Sequence, residues 1–177
     1  MNMRRAIFLD RDGTLIEDQG YVHKIEDFRI FPGVFEGLRL LGNNYLFFII
    51  TNQPGIGKGL YTTDQFHKFN NFLSEQLKKQ NIIIEKSYFC PHVDGCECKK
   101  PSTKYIKEIV SEFGINISKS WAIGDHPSDI IMGKNAGCET IYVLTGHGIK
   151  HFQELKLNNI IPTMVAPDFL SAAKYID

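Results

Sequence analysis

Two carboxylates one residue apart, Asp10 and Asp12, follow the apolar run Ala6-Ile7-Phe8-Leu9 and precede Gly13-Thr14. Along an extended chain residues i and i+2 point the same way. Both carboxylates can therefore face one small volume at the carboxyl end of a buried strand, where open α/β sheets hold their ligands. Like charges that close repel unless a cation or a shared proton stabilises them. Mg²⁺, with its preference for oxygen donors, is the natural partner. A solvated Asp-x-Asp-Gly turn after an edge strand accounts for the same residues, since Asp and Gly are ordinary turn formers.

Other strand-like runs stop in the same manner. Tyr45 to Ile50 (YLFFII) is continuously apolar, as a strand buried on both faces should be, and it ends in Thr51-Asn52-Gln53-Pro54. Ser120 to Ile123 closes in Gly124-Asp125-His126-Pro127-Ser128-Asp129. A strand over 86–89 runs into a cysteine-rich segment that is followed by Lys100. In a parallel sheet such ends share one edge, so residues far apart in sequence converge. Within the cysteine-rich segment, Cys90, His92, Cys96 and Cys98 place three thiols and an imidazole in nine residues. That is a closed soft donor set suited to structural zinc, against free buried cysteines or a disulfide.

The elements that must position these groups alternate strand and helix. Helices are expected after Pro32-Gly33, with Val34, Leu38 and Leu41 at helical spacing, and after Thr62 or Thr63, with Phe66, Phe69, Phe72, Leu73 and Leu77 as a core stripe. Further helices are expected from Pro101-Ser102 to Gly114 and from about Ser128 to Ala136, with a strand over Thr140 to Leu144. Ile16 to Phe31 has no sustained period and reads as a flap over the first strand. Gly55 to Gly59 (GIGKG) fits neither the Walker nor the dinucleotide fingerprint and reads as a flexible loop. From Thr145 onward the chain reads as a tail of loops, with a strand over Thr163 to Ala166 and a last helix from Phe169 to Ile176. The expected architecture is an α/β, doubly wound, Rossmann-like parallel sheet flanked by helices, without a separate cap domain, as one domain over 1–177.

Composition sets outer bounds. Lys+Arg and Asp+Glu both count 20, which leaves no basic field to draw nucleic acid or an anionic membrane. No apolar run approaches the ~20 residues that span a bilayer, and the first residues lack a signal-peptide pattern. A cytoplasmic monomer acting on a small molecule is expected. Cys138, set apart from the other three cysteines, is expected to act as a small buried apolar residue.

Taken together, Asp10-x-Asp12-Gly13-Thr14, Thr51-Asn52, Lys100-Pro101 and Gly124-Asp125-x-x-x-Asp129 resemble the four motifs of the haloacid dehalogenase superfamily of phosphohydrolases. The runs Phe8-Leu-Asp-Arg-Asp-Gly-Thr, Gly20-Tyr21-Val22-His23, Thr51-Asn-Gln-Pro-Gly-Ile, Cys90-Pro-His92 and Cys96-x-Cys98-Lys-Lys100-Pro are similar to those of its D-glycero-D-manno-heptose 1,7-bisphosphate phosphatases. The histidinol-phosphate phosphatases share most of them. The resemblance covers Arg5 to about Gly148.

Phosphoryl transfer needs an in-line nucleophile, a proton source for the leaving oxygen and cations on the equatorial oxygens. Asp10 fits the nucleophile and Asp12 the acid/base. Asp10, the Asp12 carbonyl and Asp125 suit Mg²⁺, with Asp129 orienting them from behind. Thr51, Asn52 and Lys100 suit the phosphoryl oxygens. The resemblance implies the same roles, and zinc on the cysteine set. It also implies removal of the 7-phosphate of a heptose bisphosphate, en route to nucleotide-activated heptose for lipopolysaccharide and other cell-surface polysaccharides. Histidinol phosphate is the alternative substrate, and a zinc-containing binding module without catalysis the alternative class. Substrate contacts are expected from Asp18, Gln19, Gly20 and Tyr21, from Gln53, Pro54 and Lys58, and from Lys99 and His126. Two positions depart from the family pattern: Lys99 stands where Arg is usual, and His126 where Lys is common. A lysine cannot reproduce a bidentate guanidinium grip on a second phosphate.

Overall fold

The structure is a computed structural model that describes residues 4–177. Six parallel strands form one sheet: β1 (Ala6–Leu9), β2 (Leu46–Asn52), β3 (Ile84–Cys90), β4 (Trp121–Gly124), β5 (Glu139–Val143) and β6 (Met164–Ala166). Their order is β3-β2-β1-β4-β5-β6. The chain winds outward from β1 in one direction, then returns to the other side of β1 and winds outward again. The crevice between β1 and β4 is thus the topological switch point, where ligands of such sheets bind.

Among the described residues six α-helices lie between the strands, α1 (Val34–Leu41), α2 (Pro54–Gly57), α3 (Thr63–Lys79), α4 (Lys104–Phe113), α5 (Pro127–Ala136) and α6 (Gly148–Leu157), and α7 (Phe169–Ile176) follows β6. Strand alternation sorts the core into two layers. Ile7 and Leu9 pack with Leu38 of α1, Phe69 and Leu73 of α3 and Phe169 of α7. Ala6 and Phe8, on the opposite face, pack with Ile106 and Ile109 of α4 and Met132 of α5. The aromatic stripe of α3 is therefore core, and Thr62 caps that helix by accepting from the Gln65 amide at 3.2 Å. Cys138 is buried, as its small apolar role requires.

Two expectations change. Within Gly55 to Gly59, read as a flexible loop, Pro54–Gly57 instead makes a helical turn packed close enough that a Cβ on Gly55 would lie 2.3 Å from the Tyr61 ring. The segment after Thr145 is not merely loops, because α6 lies within it and buries Leu155 against Ile130 and Tyr142. No segment among the described residues forms a separate cap, and no helix there is long and apolar enough to cross a membrane.

Candidate active site

Register brings the polar strand ends together. Leu9 aligns with Ile49 of β2 and Ile123 of β4, so Asp10 leaves the sheet beside Thr51 and Asp125. The Asp10 amide donates to the Ile123 carbonyl at 3.0 Å, which fixes the first turn of the loop. Gly13 then adopts φ +90°, and a Cβ there would lie 2.0 Å from Asp125 Oδ2. Only glycine lets the loop pass this close to the carboxylate. Gly124 answers a similar demand, since its Cβ would fall 2.2 Å from the Asp129 carboxyl carbon.

The result is a buried group of three carboxylates and one ammonium. Lys100 Nζ lies 2.6 Å from Asp10 Oδ1 and 2.6 Å from Asp129 Oδ1. The contact to Asp10 has hydrogen-bond geometry; the one to Asp129 is a close ion pair aimed off the bonding direction. Burial pushes the Lys100 pKa down, but Asp10 and Asp129 outweigh it and the net direction is up. Burial raises the Asp10 carboxyl, opposed by Lys100 and reinforced by Asp129. Asp125 is pushed up to about 9, by burial first and then by Asp10 and Asp129, although it accepts the His147 amide at 2.7 Å. Carboxyl oxygens of Asp10, Asp125 and Asp129 lie within 4.8 Å of one another. Three carboxylates against one ammonium leave this pocket short of positive charge, and the donors are all hard oxygens. That donor set and that charge deficit fit Mg²⁺.

Asp12 stands apart from this group although it lines the same cavity, of about 560 Å³. Its carboxylate is gripped by Arg11, with Nε to Oδ1 at 3.0 Å and Nη2 to Oδ2 at 2.9 Å. Gln53 Nε2 donates to the same Oδ2 at 2.6 Å and to Thr51 Oγ1 at 2.8 Å. Tyr61 Oη donates to Gln53 Oε1, and burial pushes this phenol up to about 12. Arg11 is fully buried, reaches the Val22 carbonyl at 3.1 Å and lies over the rings of Phe66 and Phe69. The expectation that Asp10 and Asp12 face one volume is thus met by the cavity. The carboxylate cluster itself pairs Asp10 with residues more than a hundred positions away.

Asp18, Gly20, Tyr21, Thr51, Asn52, Gln53, Pro54, Lys99 and His126 all line the cavity; Gln19 is not among its lining residues. The Asn52 side chain is turned onto Lys100, accepting its amide at 2.9 Å and donating to its carbonyl at 3.4 Å. Lys99 folds back onto the cysteine loop, where its ammonium donates to the Val93 carbonyl and sits 3.2 Å from Asp94. Lys58 Nζ donates to Tyr21 Oη at 2.6 Å. His126 caps α5 through its Nδ1, and burial, then His151, holds its pKa below the ordinary value. Tyr61, Ser128 and His147 also line the cavity, and sequence reasoning missed them together with Arg11. The only sequence signal for Arg11 was its place between the two aspartates.

The second donor set sits beside the cavity. Cys90 Sγ lies 2.9 Å from Cys98 Sγ and 3.3 Å from Cys96 Sγ, with Cys98 to Cys96 at 3.7 Å. His92 Nδ1 lies 3.7 Å from Cys90 and 3.5 Å from Cys98. A tetrahedron with Zn–S bonds near 2.3 Å has edges of roughly 3.7 Å. All four cysteines of the chain are free thiols. Backbone amides of Cys98 and Lys99 draw the Cys96 thiol down to about 6, while burial pushes Cys90 up to about 12. A bound cation would hold both as thiolates, so the set fits zinc.

Residues 97–172 match the HAD-hydrolase-like family model. The chain is 41% identical over 158 residues to the D-glycero-alpha-D-manno-heptose-1,7-bisphosphate 7-phosphatase of Campylobacter jejuni, covering 86% of this chain and 92% of that one. It is 37% identical over 154 residues to the corresponding beta-named 7-phosphatase of Helicobacter pylori strain 26695, covering 85% and 89%. The crystal structure of a D,D-heptose 1,7-bisphosphate phosphatase from B. bronchiseptica, complexed with magnesium and phosphate, superimposes with a TM-score of 0.88 at 26% identity over 97% of both chains. With the carboxylate set, the lysine and the cysteine loop in place around one cavity, the chain belongs to the heptose-1,7-bisphosphate 7-phosphatase family of the haloacid dehalogenase superfamily.

Proposed function

We propose that this chain hydrolyses the 7-phosphate of a D-glycero-D-manno-heptose 1,7-bisphosphate, with Asp10 as nucleophile and Asp12 as acid/base. The observation that carries this reading is the buried Lys100 ammonium within 2.6 Å of both Asp10 and Asp129, in the wall of a cavity that Asp12 also lines.

An Asp10 carboxylate oxygen attacks phosphorus in line while the bond to the sugar oxygen breaks, giving an aspartyl-phosphate and the free hydroxyl. Lys100 holds Asp10 at Oδ1, and the Thr14 hydroxyl donates to Oδ2 at 3.3 Å. Asp12 hands its proton to the departing oxygen. It then takes one from the water that attacks the acyl phosphate, which releases inorganic phosphate and restores Asp10. Two bonds from Arg11 and one from Gln53 keep the Asp12 carboxyl in one orientation through both steps. The Thr51 oxygen accepts from Gln53, which leaves its hydroxyl proton for a phosphoryl oxygen. Asn52 contributes by fixing the Lys100 main chain, so that the ammonium meets the same oxygens. Asp10, the Asp12 carbonyl and Asp125, oriented by Asp129, would hold Mg²⁺, which when bound would supply the positive charge that lets anionic nucleophile and anionic phosphate approach. Cys90, His92, Cys96 and Cys98 would hold zinc in a structural part, closing the loop that leads into Lys99 and Lys100.

The remote phosphate is met at the rim. Lys58 and Lys99 supply the cations there, and each can leave its present partner at little cost because both contacts are solvent-exposed. The test is phosphate release from both anomers of heptose 1,7-bisphosphate, fructose 1,6-bisphosphate and histidinol phosphate, with and without Mg²⁺. A heptose bisphosphate should give the highest kcat/KM, and the ratio between anomers assigns the preference. A higher value for histidinol phosphate would overturn the reading.

A further inference from the structure

Beside the catalytic cavity stands a third donor set, of which only His126 lines that cavity. His151 and Glu154 are three residues apart on α6 and therefore share a helix face; His151 Nδ1 and Glu154 Oε1 lie 2.6 Å apart. The His126 ring lies 4.8 Å from the His151 ring at an interplanar angle of 60°. One ligand atom from each of His126, His151 and Glu154 falls within 4.8 Å of the others. A third imidazole, His147, has its ring 6.0 Å from that of His151.

We infer that His126, His151 and Glu154 form a binding site for a borderline divalent transition cation such as Zn²⁺, Co²⁺ or Ni²⁺, distinct from both the carboxylate and the cysteine sets. Three features carry it. Donors 2.0–2.2 Å from a common ion at tetrahedral angles stand roughly 3.3–3.6 Å apart, so the ion fits once the 2.6 Å His151–Glu154 contact opens and the remaining separations, all within 4.8 Å, close by side-chain rotation. The His126 Nδ1 already accepts the Ser128 amide at 3.2 Å, which leaves its Nε2 for a ligand. The helix carrying the other two donors is anchored, since Leu155 packs on Ile130 of α5, the helix His126 caps. Imidazole with carboxylate selects a transition ion over Mg²⁺, which asks for oxygen throughout. An ion here would tie α6 to the turn that carries Asp125.

The test titrates Co²⁺ alone into protein that holds its cysteine-set zinc, in saturating Mg²⁺. The expected result is one Co²⁺ per chain with visible ligand-field bands, no sulfur-to-cobalt charge-transfer band, and a rise in Tm with occupancy. Glu154→Gln should weaken this binding by about tenfold or more. The pair His151→Ala with Glu154→Gln should remove it while leaving Mg²⁺-dependent phosphate release without cobalt unchanged. No Co²⁺ bound, or a Co²⁺ bound equally well by the double variant, would overturn the inference. The first would mean the three groups are only a hydrogen-bonded cluster, the second that the ion has entered the carboxylate or cysteine set.

Discussion

The oxygen cluster and the sulfur cluster lie on the same side of the molecule and are built in opposite ways. Asp10 follows β1, Asp125 follows β4, Asp129 sits on α5 just beyond it and Lys100 lies ten residues past the end of β3, so the parallel sheet brings together groups far apart in sequence. Cys90, His92, Cys96 and Cys98 fall within nine consecutive positions, at the end of β3 and in the loop that follows it. The fold makes the first cluster; the second makes its own piece of fold. They meet at Lys100, two residues beyond Cys98. Taking the cation from each should therefore have different consequences: electrostatic strain in a preserved framework for one, and loss of local structure for the other.

Asp10→Asn gives the widest split between function and fold. Turnover should fall by on the order of 10⁴-fold or more, measured by phosphate release. The metal-free protein should keep or raise its Tm, because one of three mutually repelling carboxylates becomes neutral. Substantial residual activity would remove Asp10 from the nucleophile role. Cys98→Ser should do the reverse, acting on fold first. Losing a structural metal belongs among the largest single-residue effects, of about 4 kcal/mol, which lowers Tm by roughly 8–16 °C for a chain of this size. Activity should fall with it as Lys100 loses its anchor. Thermal melts with zinc counted per chain check this, and an unaltered Tm in a zinc-free variant would break the contrast.

The third prediction concerns pH. Asp125 rises from 3.8 to about 9 in the folded, metal-free protein, so there the native state binds more protons than the unfolded chain. Stability then falls as pH rises through that interval, and Asp10, shifted in the same direction, adds to the slope. Saturating Mg²⁺ should flatten the dependence by replacing the missing proton. Denaturant melts at several pH values with and without Mg²⁺ measure the difference; identical slopes would mean that the carboxylates do not share a cation.

The same contrast explains what the sequence could reveal. The sulfur set was legible as spacing, because nothing but the loop separates its members. The oxygen set was legible only once the strand ends were read as one edge, which the apolar runs before Asp10, Thr51 and Asp125 justified. The helix α6 escaped because only Gly148 and Leu155 of its residues are buried, so its apolar period is too sparse to read. Arg11 escaped for another reason. A fully buried guanidinium contradicts the usual placement of charge, and its partners, Asp12 and two phenylalanine rings of α3, are tertiary neighbours. The orientation of Asn52 and Lys99 was equally invisible, since it depends on which backbone groups each side chain happens to meet.

The smallest expected effect tests how Asp12 is held. Tyr61 touches neither aspartate; it donates to Gln53 Oε1, and this leaves Gln53 Nε2 to face Asp12 and Thr51. Its ring is stacked on His23 at 4.6 Å, so phenylalanine keeps the packing and removes only the hydroxyl. In Tyr61→Phe the Gln53 carbonyl loses its donor in a buried place, at a cost of about 1–3 kcal/mol, and the amide is free to turn its oxygen toward Asp12. Arg11 still holds Asp12 with two bonds, so this carboxylate is loosened rather than released. We expect kcat to drop by roughly five-fold, about 1 kcal/mol of barrier, with KM nearly unchanged. Steady-state kinetics beside Gln53→Ala separate the outcomes. Equal losses in the two variants place the whole effect on the Gln53 amide, whereas an unaffected kcat in both leaves Arg11 as the one residue that aims Asp12.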